Sequence, residues 1–407
     1  MPTADVDTQV GDTIDKKITI GLAALPGRLS RSLPGVLSGP LAPALSYVLA
    51  RGTGVLVLRW MTGQDHASVT QVLTGWDGQW YLGIAAGGYH GVPAGLADAF
   101  GHRGPDTALA FFPGYPWLIR WLALLPGVGG VSAAVTVSLA AGVFGAYALV
   151  RIGERVPGGS RRAGLALVVL FAAAPMAITL SMAYSEATFC ALAAWALVGV
   201  LERRWLLTGV ATAGAGLVRS TAAALVVVVL IAAVIAITRR RDGWRPWVGG
   251  LLAPAGLLGY LGYVAGRTGS PTGWFDVQRQ GWNSGIDGGL ATVRFTVQVL
   301  STGRSVLEVG TVAMLVAALA LVVVAIRLRL PWPLIGYGAL VLALDLGSNG
   351  LMSSKARLLL PAFTLLVPVA LRLAARRRTT LLVVLGAAIL AGGWFGAYAI
   401  TGWQYAI

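Results

Sequence analysis

Charge is scarce in this chain. Of its 407 residues, 12% are Asp, Glu, Lys or Arg, where a soluble globular domain carries about 25%. That shortfall excludes an ordinary water-soluble domain. Acid is scarcer than base: 16 Asp+Glu stand against 31 Lys+Arg, a formal net charge of +15. Cysteine is nearly absent. The single Cys190 lies inside an apolar run, so no disulfide framework exists and the redox compartment is unmarked. Histidine is limited to His66, His90 and His102. Their spacing, with the aspartates around them, matches no tight metal-ligand motif.

What is abundant is apolar. The sequence is 56% hydrophobic, with a mean hydropathy of +0.75. Runs such as 225–237 and 312–326 are long, uncharged and flanked by arginine. A bilayer core needs about 20 apolar residues per helix. The reading is an all-α polytopic membrane protein. Excess base raises the question of nucleic acid, but position excludes that partner. The arginines cluster at the ends of apolar runs, at 151–162, 202–204, 239–245, 327–329 and 372–378. That is the positive-inside pattern, facing an anionic inner leaflet.

With those clusters inside, about eleven transmembrane helices follow. They are expected near 41–59, 131–150, 163–182, 186–201, 206–218, 221–238, 248–266, 306–326, 333–347, 358–372 and 380–398. Residues 1–40 read as a cytoplasmic N-terminal tail without a signal peptide. Residues 41–407 read as one membrane domain, with outer loop one at 60–130 and outer loop two at 267–304. The segment 111–126 has two early prolines and Arg120 in its middle, so it is expected to lie on the membrane rather than cross it. There is no internal repeat, and the 55 glycines spread through the spans, where they permit close helix packing.

This topology delivers ionisable residues from distant loops to one outer face. Asp65, Asp77, Asp98 and Asp106 fall in loop one with the histidines, Asp276 and Asp287 in loop two. Glu186 and Arg219 fall at outer turns, and Asp345, Lys355 and Arg357 flank the outer turn before the tenth span. Ionisable groups at the membrane boundary are costly and point to function. Over 73–84, Leu73, Trp76, Trp80 and Ile84 share one helical stripe. A continuous helix is expected there, lying flat with its aromatics among the headgroups. Asp77 would project along the membrane surface, where a carboxylate can act as general base on a lipid-linked substrate. Plain structural roles fit the same residues. Asp77 suits a helix cap or a partner for Arg59, Glu186 a first-turn acid, Arg219 a snorkelling side chain, and Lys355 and Arg357 loop charges.

The order of motifs is familiar. WDGQWYLGIAAGGY (76–89) followed by AFFPGYPWLIR (110–120) resembles the first outer loop of the PIG-V-type, GPI mannosyltransferase 2-like family, which has bacterial relatives. Trp76, Asp77, Gly88, Tyr89, Ala110, Phe111, Phe112, Pro113 and Pro116 carry that likeness. Ser185 and Glu186 resemble the family's Ser-Glu element, Arg219 its arginine hairpin, and Arg357 with Pro361 its late Arg-and-Pro element. One departure is the acid that often follows Gly-Tyr: here His90 and Gly91 follow. The resemblance implies a GT-C fold and inverting transfer of a sugar, mannose first, from a polyprenyl-phosphate donor. The acceptor would be a glycolipid or envelope glycan at the extracytoplasmic face of a bacterial plasma membrane. In that reading Asp77 is the catalytic base, and Arg219, Arg357 and Lys355 hold the donor phosphate. Glu186, Trp76, Trp80, Tyr89 and His90 contact substrate. No metal ligand is assigned, and a divalent cation, Mg or Mn, stays open. A lipid-linked-sugar transporter or flippase is the alternative; it would place ionisable residues near the midplane.

Overall fold

The computed structural model describes residues 39–64, 68–303 and 305–403. Most of the expected tail, together with Asp65 and His66, therefore lies outside the described residues. Helix dominates, and the one β feature among the described residues is an isolated Ile286–Ser348 bridge. All eleven expected apolar segments contain helix, but the helix expected over 163–182 stops at Ala172, ahead of Pro175, and only a 3-10 turn, Ala177–Ser181, follows it. In chain order they are α1 (Ala42–Gln64), α5 (Gly130–Arg155), α6 (Arg161–Ala172), α7 (Glu186–Leu201), α8 (Trp205–Gly216) and α9 (Ala222–Thr238). Then come α10 (Arg245–Leu252) running into α11 (Ala255–Thr268), α14 (Val306–Arg327), α15 (Trp332–Gly347), α17 (Val367–Ala374) and α18 (Arg378–Gly402). Between α1 and α5 lie three short helices, α2 (Val69–Leu73), α3 (Asp77–Gly87) and α4 (Gly114–Leu122). Before α14 lie α12 (Gly273–Trp282) and α13 (Leu290–Thr302), and α16 (Lys355–Leu358) precedes α17.

Length separates these helices. Residues 130–155, 245–268, 306–327 and 378–402 are long and apolar enough to cross a bilayer, and the bent pair 352–358 and 360–374 makes a fifth. Helices α7, α9 and α15 are apolar but shorter. These features mark an integral membrane protein. The nine residues of α4 rise about 14 Å, far short of a bilayer.

Pro43–Ile407 forms one unit, and its core gathers α5 to α9, α15 and the 3-10 turn Leu360–Leu366. Small residues set the approach of α5 and α6: a Cβ on Gly153 would lie 2.4 Å from the Cα of Gly164. The basic clusters meet at one end of this bundle. Glu202 takes Arg151 at 2.5 Å, Arg155 at 2.8 Å and Arg204 at 3.2 Å. Nearby, Arg203 approaches Asp242 at 4.0 Å, and Arg162 donates to the Arg376 carbonyl at 2.6 Å. Helix α7 links this end to the other. Its 16 residues begin at Glu186 and stop just before Glu202, a rise of about 24 Å. Glu186 and the arginine clusters thus sit at opposite ends of one apolar helix.

Candidate active site

The expected continuous helix over 73–84 is broken. Helix α2 ends at Leu73, and α3 begins at Asp77. Between them Gly78 donates its N–H to the Gly75 carbonyl at 3.0 Å, closing a four-residue turn. Trp76 occupies the first central position with φ 49° and ψ −121°. Those angles belong to a type II′ turn, where glycine is the preferred residue. A tryptophan held there stores backbone strain on the order of 1–3 kcal/mol, and such strain concentrates at functional sites. Its consequence is that Asp77 becomes the first residue of α3, and its backbone N–H donates to the Tyr184 hydroxyl at 3.2 Å.

Around Asp77 the distant motifs converge. Its Oδ2 accepts from Arg357 Nη1 at 2.7 Å. Arg357 Nε lies 3.6 Å from Glu186 Oε1, and Arg219 Nη1 lies 2.8 Å from the same oxygen. Two acids and two arginines therefore alternate in one chain of contacts, Asp77–Arg357–Glu186–Arg219. Glu186 is fully buried, while the Asp77 side chain keeps 25% of its surface exposed. The Glu186 contacts are charge contacts without hydrogen-bond alignment. Four segments supply the set: the start of α3, the start of α7, the turn between α8 and α9, and α16.

Neighbours hold this set in place, and of these the sequence pattern singled out Ser185 but not Tyr184. The Tyr184 ring lies beneath the Arg357 guanidinium at 5.4 Å. Ser185 Oγ accepts from Arg219 Nη1 at 3.1 Å and bonds the Tyr81 hydroxyl at 2.9 Å. Burial pushes the Tyr81 phenol well up, so it stays a neutral hydroxyl. Tyr184 stood next to the Ser-Glu pair in sequence, and that adjacency was its available signal. The loop from 110 to 116 supports the arginine hairpin. Gly114 N–H donates to the Leu217 carbonyl at 2.7 Å, and a Cβ on Gly114 would lie 2.8 Å from that oxygen.

Other expected site residues lie elsewhere. Lys355 is almost fully buried, with its ammonium turned to the backbone carbonyls of Asp345 and Ser348. Trp80 does not face headgroups, because it is 5% exposed and stacks on Phe111 at 5.3 Å with Trp282 at its edge. The apolar stripe thus faces protein, since loops 110–113 and 281–283 cover it. Trp76 is the exposed aromatic of the pair, at 36%. Tyr89 donates to the Phe111 carbonyl at 2.8 Å and bonds the Tyr260 hydroxyl at 3.1 Å; burial raises its phenol. His90 is exposed, with its Nε2 3.0 Å from Arg267 Nη1. Trp80, Tyr89, His90, Arg103, Pro105 and Ala108 line a cavity of about 300 Å³. It is separate from the four-charge set and meets it through α3. Among the described residues no three His, Cys, Asp or Glu side chains converge as metal ligands.

No family model and no curated protein matches the chain. Two solved structures are similar to it. ArnT from Cupriavidus metallidurans bound to undecaprenyl phosphate aligns with a TM-score of 0.51 at 16% identity, over 84% of this chain and 62% of that one. The apo state of ArnT from the same organism gives a TM-score of 0.47 at 17% identity, over 74% and 55%. The chain thus spans less than two thirds of ArnT. At this identity the likeness speaks to fold alone: this is an all-α integral membrane protein with an ArnT-like fold.

Proposed function

We propose that the protein is a glycosyltransferase that moves a sugar from a polyprenyl-phosphate donor to a glycolipid or envelope acceptor. The convergence of Asp77, Arg357, Glu186 and Arg219 carries this reading. The likeness to a structure that binds undecaprenyl phosphate supports the donor class. The PIG-V-type motifs favour mannose as the sugar. The positive-inside pattern favours eleven spans and a site at the extracytoplasmic face of a bacterial plasma membrane.

The chemistry follows from the charge set. The acceptor O–H gives its proton to Asp77, and its oxygen bonds the anomeric carbon from the side opposite the phosphate. The bond from that carbon to the phosphate oxygen breaks, with inversion, and its electron pair leaves with the polyprenyl phosphate. In the resting set the charges cancel, two against two. Once Asp77 takes the proton, Arg357 keeps only its longer contact to Glu186, at 3.6 Å, at the moment the leaving phosphate gains negative charge. The released guanidinium can then stabilise the leaving group. Arg219 adds donors, since its Nε and Nη2 have no partner among the described residues. Glu186 holds both arginines in register. Lys355 acts from further back, through the Asp345–Ser348 turn.

A transporter would place its ionisable groups near the midplane, and here they gather at helix ends. The test uses purified protein in liposomes with radiolabelled polyprenyl-phosphate mannose and envelope glycolipid extract. Label entering a new glycolipid supports the enzyme. Movement of intact donor between leaflets without product overturns it.

A further inference from the structure

The cavity beside Trp80 plays no part in the proton transfer just described, yet Arg103, which lines it, and Arg267, which stands outside its lining against His90, carry charge with no counter-ion among the described residues. Arg219 and Arg357 both face acids. Arg103 and Arg267 have no ion pair among the described residues. Arg103 donates through Nη1 to the carbonyls of Pro93 and Leu96, and through Nη2 to the Val92 carbonyl at 2.8 Å. Its guanidinium lies 6.0 Å over the Trp80 ring. Carbonyls orient that cation without cancelling its charge, and its Nε stays unpartnered among the described residues. Arg267 touches His90 Nε2 at 3.0 Å and the Tyr263 hydroxyl at 3.4 Å. Of the nearby acids, Asp98 Oδ1 is spent on the backbone N–H groups of Phe100 and His102, and Asp106 pairs with neither arginine. The walls are firm, because Tyr89 is bonded to Phe111 and Tyr260.

Position ties this cavity to the reaction. Trp80 follows Asp77 by three residues on α3, a rise of about 4.5 Å. In the proposal below, a molecule held there would present its hydroxyl toward the carboxylate past Trp80. Its volume of about 300 Å³ lies at the small end of ligand pockets.

We propose that this cavity is the acceptor subsite, and that the acceptor carries a phosphate or carboxylate held by Arg103, Arg267 and His90. The proposal rests on the glycosyl-transfer reading for the word acceptor, while the anion site itself can be tested without turnover. The full-length protein in phosphatidylcholine nanodiscs is titrated, by tryptophan fluorescence, with glucose 6-phosphate, glucuronate and the neutral methyl glucoside. The charged probes should bind about tenfold tighter than the neutral one, the scale of a charge-assisted contact. That preference should vanish in Arg267→Gln and shrink in His90→Gln. Among the described residues the hydrogen bonds of the Arg267 side chain go to His90 and Tyr263 and not to the loop that Arg103 anchors, so its loss spares that loop. Asp77→Asn should keep the preference, which separates this site from the proton-transfer set. Equal binding of charged and neutral probes, or a preference that survives Arg267→Gln, overturns the proposal. So does full displacement of the probe by polyprenyl phosphate, which would make this the donor's site.

Discussion

Glu186→Gln is the sharpest test of the charge set. Glu186 is fully buried and, among the described residues, is the one acid in ion-pair contact with both Arg219, at 2.8 Å, and Arg357, at 3.6 Å. The amide keeps the shape and removes the charge. Arg357 retains Asp77, but Arg219, whose side chain is only 13% exposed, is left without an ion-pair partner among the described residues. Removing one partner of a buried pair costs about 3–5 kcal/mol, and the amide oxygen can return roughly 1 kcal/mol by accepting from Arg219. The net loss is about 2–4 kcal/mol. The chain supplies its own reporter. Cys190 is its sole cysteine, buried and one turn along α7 from Glu186. Thiol labelling of Cys190 in detergent follows the population that opens, provided reclosing outpaces labelling. An increase of roughly 30- to 900-fold in labelling rate is expected from that energy. Glu154→Gln, at an exposed acid on α5, should leave the rate within a factor of about 2, the range of ordinary surface changes. Unchanged labelling in Glu186→Gln would refute the idea that this acid neutralises two arginines.

Other outcomes follow from the same geometry. Arg357→Lys keeps the charge but loses the planar fork that reaches Asp77 and Glu186 together; sugar transfer should fall about 10- to 100-fold with expression unchanged, measured with labelled donor. Gly114→Ala pushes a methyl against the Leu217 carbonyl. It should destabilise by about 1–3 kcal/mol, read as a lower melting temperature, and it should weaken donor use through the displaced Arg219. Trp76→Gly relieves the strained turn; melting should rise or hold while turnover drops, because Asp77 is no longer firmly aimed. A melting temperature that falls sharply in Trp76→Gly would remove the strain from the account.

Much of this was legible in the sequence, for reasons that can be named. Apolar runs bounded by arginine locate every helix that builds the core, because burial in lipid and charge at the boundary are composition rules. The four-residue set of Asp77, Glu186, Arg219 and Arg357 was legible because scarce charges in an apolar chain stand out. Their alternation was not, since pairing depends on how α3, α7 and α16 pack. The break at Trp76 was hidden because the stripe Leu73–Trp76–Trp80–Ile84 fits a helix in periodicity alone. Gly75 and Gly78 on either side were the available sign of a turn. The stripe's destination was also hidden: residues 110–113 and 282 cover Trp80, and no local pattern announces contacts that distant. Lys355 looked free because its partners are backbone carbonyls, which carry no sequence signal. Span number stands apart, since five crossings satisfy length and apolarity while the arginine pattern asks for about eleven.

The central claim is that Asp77 removes the acceptor's proton. Asp77→Asn keeps the Arg357 contact through an amide oxygen, yet cannot take a proton. Reconstituted in liposomes with labelled polyprenyl-phosphate sugar, it should form no product, while donor binding and Cys190 protection match the unaltered protein. Product at the normal rate from Asp77→Asn would contradict the account.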